Sequence, residues 1–291
     1  MSEPSKSLIL HIGFHKTGTS ALQEALFRNA GVAAAAGVIY PKPLGDFQSH
    51  LELGAALFPE ELPWVKESFE FDRVYDHYAR LVDDAKPGSK IVLSTEELCR
   101  IDKRTPLLHA IHGKFAGLAD TAVQIVAYTR DPISFLVSLY HHQIRVGIYS
   151  GTFAEFVGGH IGLHNVRFAE RLAGWQNVFG TENVLIKDYD EVIKTHGPTG
   201  IANDFLAVLG KPDLQLKQAD RRVNSGVHPW LVEAYRQLDS AGLDKDMLAR
   251  LRRRTIRLGE EMPRVKAAEY YLGADGVAEL RDRIERPKVP S

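Results

Sequence analysis

Leu8-Ile9-Leu10-His11-Ile12-Gly13-Phe14-His15-Lys16-Thr17-Gly18-Thr19-Ser20 is the stretch whose reading decides the fold. Its first five residues are a short, mostly apolar run that breaks at Gly13, as a buried parallel strand does before its turn. Beyond the glycines, Leu22, Ala25 and Leu26 recur at helical spacing. Thr19 and Ser20 are available as caps at the start of that helix, and Asn29 and Gly31 stop it. Strand, glycine loop and helix therefore follow one another directly.

A loop in that position is expected to cradle an oxyanion. Gly13 and Gly18 let the backbone turn and approach an anion closely, and the first amides of the helix can point at its oxygens. Lys16 adds a point charge, and Thr17, Thr19 and Ser20 add hydroxyl donors. The Walker A order is absent, because Lys16 precedes Gly18 and Thr19 follows it. The plain alternative is a glycine turn beside a solvated lysine.

Working outward, short apolar strands are expected at Gly37 to Tyr40, Ile91 to Ser94, Ala122 to Tyr128 and Asn183 to Lys187. Helical periodicity falls between them, over His50 to Leu57, Phe71 to Val82, Leu107 to Leu118, Pro132 to Arg145 and Val166 to Phe179, and after the last of them over Ile201 to Leu209. This alternation predicts an α/β fold, a doubly wound, mainly parallel sheet with helices on both faces, whose ligands bind where strand ends meet helix starts. Beyond about Trp230 the pattern is helical only. The domain reading is an α/β domain over residues 1–239 and a helical C-terminal extension over 240–291.

Composition sets the outer limits. The 291 residues are 44% apolar, enough for a substantial core. Lys and Arg number 36 against 37 Asp and Glu, so a net charge of -1 gives no bulk attraction to nucleic acid or to an anionic membrane. Cys99 is the only cysteine, which excludes an intrachain disulfide and fits a reducing compartment. No apolar run is long enough to span a bilayer and no signal peptide is read, so a cytoplasmic protein is expected.

A second anion site is expected at Tyr128-Thr129-Arg130-Asp131-Pro132. The guanidinium fork of Arg130 suits a phosphate dianion, and Ser138, two turns into the next helix, supplies a hydroxyl. The alternative is a surface pair of Arg130 with Asp131, with Pro132 merely starting a helix.

Gly-x-x-Lys-Thr-Gly-Thr-Ser after a strand resembles the 5′-phosphosulfate loop of the family of sulfotransferases that use 3′-phosphoadenosine-5′-phosphosulfate (PAPS). Arg130-Asp131-Pro132 followed by Ser138-Leu139-Tyr140 is similar to that family's 3′-phosphate site. The resemblance covers about Leu8 to Leu238 and implies PAPS as co-substrate and adenosine 3′,5′-bisphosphate as product. It also implies that Lys16 stabilises the leaving group, with His15, Thr17, Gly18, Thr19 and Ser20 around the phosphosulfate and Arg130 and Ser138 on the 3′-phosphate. Tyr189, in Lys187-Asp188-Tyr189-Asp190-Glu191, matches a tyrosine that lies near the adenine, although a tyrosine that caps the sheet would read the same way. Arg221-Arg222-Val223-Asn224-Ser225-Gly226 stands where the family closes over the 3′-phosphate, but departs from the Arg-Lys-Gly form of the cytosolic branch.

Sulfuryl transfer to a neutral hydroxyl needs a base for the acceptor proton. Ser94-Thr95-Glu96 is similar to the Ser-x-Glu of the bacterial branch, which puts Glu96 first, with Glu97 second and His50 as a further base or acceptor-positioning residue. No metal site is read: His141 and His142 are adjacent and diverge on a helix, and His109 and His112 lack a third ligand nearby. The expected partner is a small-molecule, carbohydrate or lipid acceptor, with Pro41 to Pro63 forming part of its mouth. A homo-oligomer stays open. Two rivals stand beside this reading, a P-loop-related nucleotide-dependent kinase and a non-catalytic nucleotide-binding protein.

Overall fold

Leu8 and Leu10 point to one face of the first strand and Ile9 to the other, and all three are buried, which requires a sheet covered on both sides. The computed structural model describes residues 5–101, 104–159, 166–197, 200–217, 227–242, 244, 246–247, 250–251, 262–263 and 265–285. The chain divides into two compact units, Met1–Thr129 with Ala169–Val223, and Arg130–Phe168 with Asn224–Ser291.

The first unit holds one parallel sheet of five strands. In chain order its elements begin with β1 (Lys6–His11), α1 (Thr19–Arg28), α2 (Ala30–Ala35), β2 (Val38–Ile39), α3 (Leu51–Ala55), α4 (Phe71–Asp83) and β3 (Lys90–Ser94). A 3-10 turn (Glu96–Ile101), α5 (Thr105–Phe115) and β4 (Thr121–Thr129) follow. The strand order is β2-β3-β1-β4-β5, so β1 lies centrally between β3 and β4, and its carboxyl end opens between theirs. The sheet expected from the sequence is present, with all five strands where the apolar runs placed them.

The second unit begins with α6 (Pro132–Val146) and α7 (Phe153–Gly158), and α8 (Phe168–Phe179) leads back to the first unit. There β5 (Val184–Asp188), α9 (Tyr189–His196) and α10 (Ile201–Val208) complete the sheet and its cover. Ile9, Val92, Val126 and Tyr128 on one face of the sheet join Leu22, Leu26, Phe205 and Leu206 in one core cluster. Leu10, Ile91, Leu93 and Ile125 are buried on the opposite face. The second unit ends with α11 (Pro229–Ser240) and α12 (Ala267–Glu285), the latter interrupted at Gly273. Within the stretch from residue 240, the described helix α12 belongs to this unit together with α6 and α7.

No helix among the described residues is long and apolar enough to cross a membrane.

Candidate active site

The loop after β1 is built by two positions that exclude a side chain. A Cβ at Gly13 would lie 2.6 Å from Thr19 Oγ1 and 3.0 Å from the His11 ring. Gly18 has φ 80, and a Cβ there would lie 2.9 Å from the Tyr189 ring. Between them Lys16 adopts φ 65, a left-handed conformation that costs a non-glycine residue about 1–2 kcal/mol.

The hydroxyls correct one expectation. Gly18, not Thr19 or Ser20, is the N-cap of α1, and no side chain caps the helix start. Thr17 donates to the Phe14 carbonyl at 2.6 Å, and Thr19 donates to the same oxygen at 3.3 Å. A hydroxyl has one proton, so these two threonines hold the loop closed on itself. The first amides of α1 remain the donors suited to an anion, while Ser20 is exposed.

Glu96, the first residue of the 3-10 turn after β3, accepts from Nδ1 of His15 at 3.1 Å, and each of the two side chains is 31% exposed. Burial opposes ionisation of the Glu96 carboxyl. The hydrogen bond from His15, the charge that ring carries when protonated and the charge of Lys16 outweigh that effect and hold its pKa below the usual carboxylate range. The structure thus brings Glu96 into contact with His15, a loop residue that the resemblance placed around the phosphosulfate.

The other two candidate bases are engaged elsewhere. Glu97 is buried with its carboxylate paired to Arg100, and its Cβ fills the space that a side chain at Gly54 of α3 would need. His50 is fully buried at 0% exposure. Its Nδ1 accepts from the Ser94 amide at 3.0 Å and its Nε2 donates to the Pro41 carbonyl at 3.1 Å. Burial, only partly offset by these bonds, drives its pKa down to about 3. With both nitrogens bonded to main chain, the imidazole has no lone pair left for a substrate proton, and its role is to fasten residues 41 and 94 together. His15, Glu96 and Glu97 bring ligand-type atoms within 4.8 Å of one another, but these bonds to protein partners already account for them, and we assign no cation there.

A sequence profile described as "Sulfotransferase domain" matches residues 6–245, which include the loop, Glu96 and both sheet edges. The chain belongs to this family. Among solved structures, a sulfotransferase from Alicyclobacillus acidocaldarius is similar at 15% identity and a TM-score of 0.49, covering 85% of this chain and 99% of that one. The sulfotransferase domain of the curacin biosynthetic pathway is similar at 14% identity and 0.44, covering 99% and 100%. A retinol dehydratase solved with androsterone and the inactive cofactor PAP is similar at 14% and 0.42, covering 100% and 84%. No curated protein matches the chain. The kinase and non-catalytic alternatives are set aside by the family membership.

In this sulfotransferase, Tyr189 opens α9, whose start is capped by Asp188 accepting from the amides of Asp190 at 2.8 Å and Glu191 at 3.2 Å. The ring stands against Gly18, at the loop. In the second unit, Arg130 follows β4 directly, and Asp131 caps α6 by accepting from the Ser134 amide at 2.8 Å. Asp131 also accepts from Arg281 at 3.2 Å. Arg130 and Ser138 are each half-buried. Arg221 and Arg222 lie outside the described residues.

Three residues at the site have roles that the sequence reading did not assign. Ser94 Oγ lies 2.8 Å from His11 Nδ1 and accepts from Gln23 at 3.2 Å, so the end of β3 is pinned to β1 and α1 just before Glu96. His11 is 1% exposed, and burial, partly offset by the charge of Glu96, takes its pKa down to about 4. A lone histidine in an apolar strand was a usable signal for such a bond. The third residue, Arg171 of α8, gave no signal.

Proposed function

We propose that this sulfotransferase moves a sulfuryl group from PAPS to an acceptor hydroxyl or amine by direct in-line transfer. The observation that carries the reading is the carboxylate of Glu96 hydrogen-bonded to His15 of a loop built to admit an anion. The acceptor oxygen forms a bond to sulfur as the bond from sulfur to the 5′-phosphate oxygen breaks. The electron pair leaves with the phosphate, where Lys16 and the first amides of α1 meet the developing charge. The acceptor proton is taken within the pair formed by His15 and Glu96 at the loop.

From the motif resemblance, Arg130 and Ser138 are assigned to the 3′-phosphate and Tyr189 to the adenine. No step requires a divalent cation. The acceptor is a small molecule, a carbohydrate or a lipid, and a cytoplasmic location is proposed from the single thiol of Cys99.

Adenosine 3′,5′-bisphosphate at about a hundred times its dissociation constant should add about 2.7 kcal/mol to folding stability, and ATP much less. Transfer of radiolabelled sulfate from PAPS to fractionated extract then identifies the acceptor. An unchanged melting temperature in saturating bisphosphate would remove the donor assignment.

A further inference from the structure

We propose that the group taking the acceptor proton is Nε2 of His15, with Glu96 as the residue that orients the imidazole. This rests on the PAPS reading above and names the proton acceptor within it. The bond from Nδ1 to a carboxylate fixes the tautomer: Nδ1 carries the hydrogen and Nε2 keeps its lone pair. No protein group among the described residues bonds Nε2, and the side chain is part-exposed rather than sealed in the core.

The neighbouring groups are unsuited to the task. Both nitrogens of His50 bond main chain, His11 is buried with Nδ1 on Ser94, and Glu97 is paired with Arg100. Glu96 itself is held in its ionised form by His15 and Lys16, which makes it a weak proton acceptor but a good partner for a cation. In the step, the acceptor O–H proton passes to Nε2 as oxygen bonds to sulfur and the phosphate departs with its electron pair. The imidazolium that results is stabilised by Glu96 and returns its proton to water after product leaves.

A merely structural bond between loop and turn predicts different chemistry from a base. His15→Asn keeps an N–H near the position of Nδ1 and should still lose about 10²–10⁴-fold in kcat, the usual contribution of a general base. His15→Ala should lose as much and regain turnover with added imidazole, the rescue rates of substituted imidazoles rising with their basicity. The melting shift with adenosine 3′,5′-bisphosphate should persist in both variants. Turnover within about threefold of wild type in His15→Asn, or no imidazole rescue in a His15→Ala protein that keeps its melting shift, overturns the proposal. Loss of the shift in the wild type itself would instead remove the PAPS reading.

Discussion

Arg171 lays its guanidinium 4.9 Å from the centre of the Phe14 ring. The same guanidinium donates to the carbonyl of Cys99 at 2.7 Å and to its sulfur at 3.3 Å. Phe14 belongs to the anion loop and Cys99 to the turn that begins at Glu96, so one buried cation ties the two parts of the site together. Both bonds leave one terminal nitrogen, and Lys cannot supply them together with a planar face over Phe14. Arg171→Lys should therefore lower stability by about 1.5–3 kcal/mol in urea unfolding, since bonds made by charged groups fall in that range. It should also weaken binding of adenosine 3′,5′-bisphosphate. Unchanged binding in calorimetry would mean that the tie does not set the loop.

Gly18→Ala tests the loop from its other side. The position needs a positive φ and offers 2.9 Å to the Tyr189 ring, so a methyl group is both strained and crowded. A cost of about 1–3 kcal/mol is expected, the usual range for a forced left-handed residue. The bisphosphate melting shift should shrink with it, because the first amides of α1 move with residue 18. A full melting shift in Gly18→Ala would show that those amides do not hold the ligand.

Glu96→Gln separates binding from chemistry. The amide keeps the size of the side chain but can donate to Nδ1 of His15 and so leave the wrong nitrogen protonated. Loss of a residue that orients an imidazole in this way reaches about 10⁴-fold in the triad of serine proteases. A fall in kcat of about 10²–10⁴-fold is expected, with the bisphosphate melting shift intact. A kcat within about threefold of wild type would exclude the carboxylate from the chemistry.

The sheet was legible because each strand is a short apolar run ended by a glycine, proline or polar junction, and burial on both faces leaves no alternation to confuse it. The loop was legible because Gly13 and Gly18 have backbone reasons to be glycine. The direction of the threonine hydroxyls was not, since a hydroxyl serves a ligand or a carbonyl three residues back equally well, and only the folded loop brings Thr17 to Phe14. The pairing of His15 with Glu96 joins two segments brought together by the parallel pairing of β1 with β3, a relation that no local pattern encodes. Arg171 is the one cation of its helix and follows directly on the helix's one acid, Glu170, a pairing that does not mark it as a residue of the site.

The buried histidines give the first unit a pH dependence whose sign is fixed. His11 and His50 have ordinary values of 6.5 and folded values of about 4 and about 3. Between those limits the unfolded chain binds protons that the folded chain refuses, so stability is complete above about pH 6.5 and falls as pH drops. Each histidine contributes a slope of up to about 1.4 kcal/mol per pH unit. Urea unfolding at pH 7, 6 and 5 should show the loss, and His11→Asn should reduce the slope over that interval even if it lowers stability throughout. A slope unaltered by His11→Asn would mean that the ring accepts a proton in the folded protein, and the bond from Ser94 to His11 would then have to be read with a charged imidazole.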